Sequence, residues 1–109
     1  MIKFGVAGNS DSFYNQGYKS TIESAKWCAK FGIDVFEYSF GRGIKMRRET
    51  AEEIGKAFFE NKVDISVHSP YFINFANKES EKIDGSINYV LSCLEILDYM
   101  KGDRVVVHP

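Results

Sequence analysis

Asp64-Ile65-Ser66-Val67-His68-Ser69-Pro70 and Arg104-Val105-Val106-Val107-His108-Pro109 are two short runs rich in β-branched residues, each carrying a histidine one or two residues ahead of a proline. Bounded by turn residues, Asp64 to His68 and Arg104 to His108 within these runs read as strands. Between them, Glu79 to Met100 carries Ile83, Ile87, Val90, Leu91, Leu94 and Leu97 at helical spacing, which predicts one broad apolar stripe laid on a sheet. Strand, long helix and strand in that order form a crossover unit, so the two strands are expected to be parallel neighbours.

Working outward, the same alternation continues to the N-terminus. Ile2 to Ala7 and Asp34 to Ser39 read as two further strands, and Lys19 to Phe31 and Thr50 to Asn61 as helices. Two helix starts carry capping boxes, Ser20-Thr21-Ile22-Glu23 and Thr50-Ala51-Glu52-Glu53. Gly32 and Gly102 follow the first and third helices, where a left-handed residue ends a helix. The order β-α-β-α-β-α-β defines an α/β fold with a parallel sheet, either an open doubly wound sheet or successive units of a (β/α)8 barrel. Strands of an open sheet are apolar on both faces. Here alternate positions hold Lys3, Gly5 and Ala7, then Glu37 and Ser39, then Asp64, Ser66 and His68, then Arg104 and His108, a polar face suited to a barrel interior. A whole barrel takes about 250 residues. The 109 residues are therefore expected to be the first four strands of a TIM barrel, one domain spanning 1–109 with no second domain. The sequence ends on a strand, which reads as a truncated frame, an engineered piece or a proteolytic fragment.

Composition narrows the function classes. With 44% hydrophobic, 15% aromatic and 27% charged residues, the chain fits a soluble globular domain. The formal net charge of −1 excludes a chain that is basic throughout and grips nucleic acid by charge alone. Cys28 and Cys93 lie in helical segments without CxxC spacing and read as buried free thiols, which implies a cytoplasmic location. No apolar run is long enough for a signal peptide or a membrane span.

In parallel α/β folds the chemistry sits at the carboxyl ends of the strands. Those ends hold Gly8-Asn9-Ser10-Asp11, Gly41-Arg42-Gly43, His68-Ser69-Pro70-Tyr71 and His108-Pro109. Both histidines of the chain fall in that set at equivalent positions of neighbouring strands, so their rings are expected within a few ångströms, as two ligands of one metal centre require. Arg42-Gly43-Ile44-Lys45-Met46-Arg47-Arg48 holds four cations and no acid on the same rim. Phosphate contact would suit Arg42, while Arg47 and Arg48 are placed to pair with Glu49, Glu52 or Glu53. Glu37 faces inward and reads first as an ion-pair partner of Lys3 or Arg104, with a metal or catalytic role second. Asn9, Ser10 and Asp11 read either as a phosphate loop or as a turn.

Ser66-Val67-His68-Ser69-Pro70-Tyr71-Phe72-Ile73-Asn74 and Arg104-Val105-Val106-Val107-His108-Pro109 resemble the third strand with its loop and the fourth strand of the endonuclease IV family of zinc-dependent apurinic/apyrimidinic endonucleases. The resemblance implies a (β/α)8 barrel that hydrolyses the phosphodiester bond 5′ to an abasic nucleotide in double-stranded DNA. It implies that His68 and His108 are zinc ligands, that Tyr71 belongs to a loop wedged into the duplex, and that Arg42 matches an arginine filling the base stack. The first strand departs from the family, with Gly5-Val6-Ala7-Gly8-Asn9-Ser10 in place of a Gly-Ala-His stretch. By the same resemblance, the bridging carboxylates and remaining histidines of the zinc cluster come from strands five to eight. The isolated chain is then expected to hold an incomplete cluster, no catalytic residue of its own and no activity. Two alternatives stand beside this reading: a metal-dependent sugar isomerase or epimerase barrel, in which Glu37 gains a role, and a non-catalytic half-barrel whose exposed edges are covered by self-association or by a missing C-terminal half.

Overall fold

The computed structural model describes residues 1–109. Four parallel strands lie in the order β1-β2-β3-β4: β1 (Gly5–Ala7), β2 (Val35–Ser39), β3 (Asp64–His68) and β4 (Val105–Val106). Four helices accompany them, α1 (Asp11–Asn15), α2 (Thr21–Lys30), α3 (Arg48–Glu60) and α4 (Ser80–Tyr99). Sequential parallel strands, each reached through a helix, form the α/β arrangement expected from the sequence and the first half of a barrel's strand order.

The register separates the two sheet faces. Val6, Phe36 and Ile65 are aligned across three strands, as are Tyr38, Val67 and Val105, and these side chains pack on the helices. The intervening row, Ala7, Glu37 and Ser66, points the other way, and so does the row of Ser39, His68 and Val106. The core lies between sheet and helices, around Phe36, Ile54, Phe58, Val67, Cys93 and Leu97. Its opposite face is open. The accessible surface of 7412 Å² exceeds the roughly 6100 Å² expected of a closed chain of 12.4 kDa.

Several local expectations change. Residues 2–4 are not strand: pairing begins where Asp34 N–H donates to the Phe4 carbonyl, and Ile2 stays exposed. At the other end of the chain, β4 is confined to Val105–Val106. Ser20 caps α2 as expected, with Glu23 accepting the amides of Lys19 and Ser20 at 2.7 and 2.8 Å. The Thr50 box does not form, because α3 starts two residues earlier with Arg47 as N-cap. There Arg48 makes an i,i+4 pair with Glu52 and lies 4.8 Å over the Tyr99 ring, contacts that reward the earlier start. Helix α1 is an addition; Ser10 caps it by accepting the Phe13 amide, and Phe13 is fully buried.

Gly32 has φ of 69° and closes α2 as expected, whereas after α4 the left-handed residue is Lys101, at φ of 59°. Gly102 is needed for space, since a Cβ there would stand 2.6 Å from the Ile65 carbonyl oxygen. The apolar stripe of α4 is also redistributed. The helix buries Ser86, Cys93, Ile96 and Leu97 and turns Ile87, Leu91 and Leu94 outward. A helix with two adjacent apolar strips can bury only the one that faces the sheet. No helix is long and apolar enough to cross a membrane.

Candidate functional site

Strand direction fixes the rim. Ser69 N–H donates to the Val106 carbonyl at 2.9 Å and Phe40 N–H to the His68 carbonyl at 3.2 Å, so β2, β3 and β4 are hydrogen-bonded up to their carboxyl ends. The two histidines are not at equivalent positions as expected: His68 is aligned with Val106, and His108 lies two residues further along, past the end of β4. The imidazoles still come together, with ring centroids 4.8 Å apart and planes 31° from parallel. His68 Nδ1 lies 2.8 Å from the Ser69 carbonyl oxygen. A carbonyl only accepts, so Nδ1 is the donor in this contact, and in a neutral ring Nε2 then carries the lone pair. The donor set suits zinc, but no third His, Cys, Asp or Glu joins it to make a three-residue cluster. The pair fits as part of a metal centre and does not complete one.

Glu37 is one pleat below this pair. It pairs with neither expected cation, since Lys3 binds Asp64 and Arg104 binds Asp103. Both bridges hold exposed groups; the Lys3 ammonium is raised and the Asp103 carboxyl lowered, each mainly by the hydrogen bond to its partner. Glu37 is therefore an unpaired inward carboxylate at the centre of the sheet.

Around the histidines, Tyr71 projects with 72% of its surface exposed, and its N–H donates to the Gly41 carbonyl at 3.3 Å, tying the third rim loop to the one carrying Arg42. Arg42 makes no ion pair, and neither does Arg47, in contrast to Arg48. Asn9 accepts from the buried Ser24 hydroxyl, and Ser10 caps α1, so the loop after β1 is a turn with both side chains occupied. The two cysteines are free and buried, and loss of hydration pushes both thiols up to about 11. They stand on the helices, away from the rim. Sequence reasoning missed the contacts that α4 makes with the Tyr71 loop, through Ser86 and Tyr89. A serine at a buried register position of an apolar helix was the available signal.

A parallel βα-repeat sheet in the sequential order β1-β2-β3-β4, with its polar groups at the carboxyl rim, has the pattern of successive units of a β/α barrel. The chain belongs to the xylose isomerase-like TIM barrel family, whose match covers residues 25–109. It is 27% identical over its full length to an uncharacterised protein of Methanocaldococcus jannaschii, covering 37% of that protein. It is also similar to two proteins described as "Probable endonuclease 4", at 30% identity in Halalkalibacterium halodurans and 27% in Shouchella clausii, in each case over 85% of this chain and 34% of the relative. The chain thus spans about a third of the length of these curated relatives.

Proposed function

We propose that the chain forms the first four strands of a zinc-dependent hydrolase barrel that cleaves the DNA phosphodiester 5′ to an abasic site, and that these 109 residues alone are inactive. The observation that carries the reading is the His68–His108 pair, ring centroids 4.8 Å apart at the carboxyl rim, with an exposed Tyr71 three residues after His68. The similarity to proteins described as endonuclease 4 supports it.

In this reading His68 and His108 hold zinc, the carbonyl of Ser69 keeping Nε2 of His68 directed to it. A zinc ion held there would supply charge neutralisation at the phosphate and a more acidic bound water. Arg42 contacts the DNA backbone, and Tyr71 fills the space beside the missing base. The further metal ligands come from outside this chain.

Zinc binding measured by competition with a chromophoric chelator is the direct test. His68→Ala and His108→Ala should each weaken binding by at least tenfold, the low end of what losing a ligand's support costs. Binding untouched by both substitutions overturns the proposal. Incision of an abasic duplex is expected only when a complementary half is supplied.

A second reading is favoured by the unpaired, inward Glu37. In a sugar isomerase or epimerase this carboxylate would meet a sugar hydroxyl next to the metal. A divalent metal with a pentose or hexose should then raise Tm while an abasic duplex leaves it unchanged.

A further inference from the structure

The loop after β3 is held from two sides, and the groups that hold it on the α4 side have no part in the rim chemistry described so far. Asn74 N–H donates to Ser86 Oγ at 3.0 Å, and Ser86 Oγ lies 3.4 Å from the Asn74 carbonyl, to which its hydroxyl donates. Ser86 is only 6% exposed. Three residues later on the same face of α4, Tyr89 meets Phe72 edge to face, with centroids 4.8 Å apart and planes 78° apart. Phe72 in turn meets Tyr71 edge to face at 5.8 Å. Ile73, between the two rings and the clasp, is buried. On the far side, Tyr71 N–H is bonded to the Gly41 carbonyl.

Serine is a poor helix-interior residue, and a buried hydroxyl must find partners. Ser86 finds both of them on the loop backbone rather than on its own helix. Tyr89 supports the adjoining ring. The result is a short loop pinned at its two ends and its middle, with Tyr71 and Phe72 displayed on the rim next to Arg42.

We propose that Ser86 and Tyr89 are positioning residues for a nucleobase-stacking edge made by Tyr71 and Phe72, which enters duplex DNA where a base is missing. This rests on the DNA reading of the rim. An aromatic wedge contributes to binding only to the extent that its loop is already ordered, because ordering on binding subtracts from affinity. Phosphate contacts act on any duplex, whereas the wedge acts only at the gap. Loosening the loop should therefore lower the preference for an abasic duplex and leave general duplex binding in place.

The test uses fluorescence anisotropy with the 109-residue chain and two labelled duplexes, one intact and one carrying a tetrahydrofuran abasic site. Ser86→Ala removes the clasp, Ser86→Cys removes its strength at nearly constant volume, and Tyr89→Leu removes the ring support, with circular dichroism confirming the fold of each. Both serine variants should lower the abasic-to-intact affinity ratio by about three- to tenfold, the scale of a lost hydrogen bond, the 3.0 Å bond from Asn74 N–H being the stronger of the two. Asn74 amide exchange should accelerate in both while β3 amides keep their protection. Equal loss of affinity for both duplexes, or an unchanged ratio despite faster Asn74 exchange, overturns the positioning role and leaves the DNA reading standing. A wild-type chain with no preference for the abasic duplex overturns both.

Discussion

Gly55 and Gly85 lie in the interiors of α3 and α4, and helix propensity alone says that alanine at either position stabilises the helix by up to about 1 kcal/mol. The structure assigns the two substitutions opposite signs. A Cβ at Gly85 meets nothing within 4 Å, so Gly85→Ala should gain most of that propensity difference. A Cβ at Gly55 would stand 2.5, 2.6 and 2.7 Å from the carbonyl oxygen, carbonyl carbon and Cα of Met100. These are backbone atoms at the end of α4, and Met100 is 1% exposed, so the collision cannot be relieved by a side chain swinging away. Relief requires α3 and α4 to separate by most of an ångström, which loosens Ile54, Phe58 and Leu97 in the shared core. Overpacking of this kind costs about 1–3 kcal/mol, and at the upper end it exceeds the propensity gain. Gly55→Ala should therefore be net destabilising by up to about 2 kcal/mol, lowering Tm by roughly 4–8 °C per kcal/mol in a domain of this size. Urea unfolding followed by circular dichroism, with unchanged m, measures both variants side by side. A Gly55→Ala protein as stable as Gly85→Ala would refute the close packing of α3 on the end of α4.

Two further outcomes follow from groups away from the rim. Because burial raises both thiols to about 11, Cys28 and Cys93 should resist iodoacetamide at pH 8 in the folded chain and react once urea unfolds it; alkylation of either at the rate of a free thiol contradicts their burial. The Glu23 carboxylate is lowered from its ordinary 4.5, mainly by the amide of Lys19 and then that of Ser20. Its contribution to stability is thus fully present above that ordinary value and lost as pH falls through the lower folded one. Glu23→Gln should flatten the acid limb of the stability curve, and an identical acid limb in both proteins would show that the cap carries no such linkage.

Much of the fold was legible because strand, helix and turn signals agreed along most of the chain. Val35–Ser39, Asp64–His68 and Ser80–Tyr99 appear within a residue of their expected ends. The errors share a cause, tertiary contact overriding a local signal. Arg48 reaches Tyr99 on another helix, which no capping motif at Thr50 reports. On α4, Ile87, Leu91 and Leu94 outweigh Ser86 and Cys93 on any hydrophobicity scale. Yet the latter face the core, because Ser86 has its partners on the Asn74 backbone and Cys93 is small enough for close packing. Helix α1 was missed because five residues are too short for a period to show, although Ser10 ahead of Asp11 and Phe13 was a readable cap. At the site, strand polarity and residue alternation were enough to bring His68 and His108 together. Ser86 on an apolar helix signalled a buried hydroxyl, but its partner Asn74, twelve residues away, was not readable from local sequence.

Glu37 sharpens the choice between the two functional readings. Its expected partners are engaged elsewhere, because Lys3 reaches across β2 to Asp64 on β3 and Arg104 turns to its neighbour Asp103. Both bridges are largely exposed and worth little in stability, so neither holds its cation away from Glu37 by much. A carboxylate enclosed in a barrel needs a cation, a metal or a hydrogen-bonding ligand. If Arg104 swings to Glu37 on enclosure, the pair neutralises itself and the histidines are left as the chemical groups of the rim, which suits the hydrolase. If Arg104 stays with Asp103, Glu37 remains available to a ligand beside the metal, which suits the sugar enzyme. Glu37→Gln therefore discriminates: it should leave zinc affinity and abasic-duplex preference unchanged in the first case and abolish sugar-dependent stabilisation in the second.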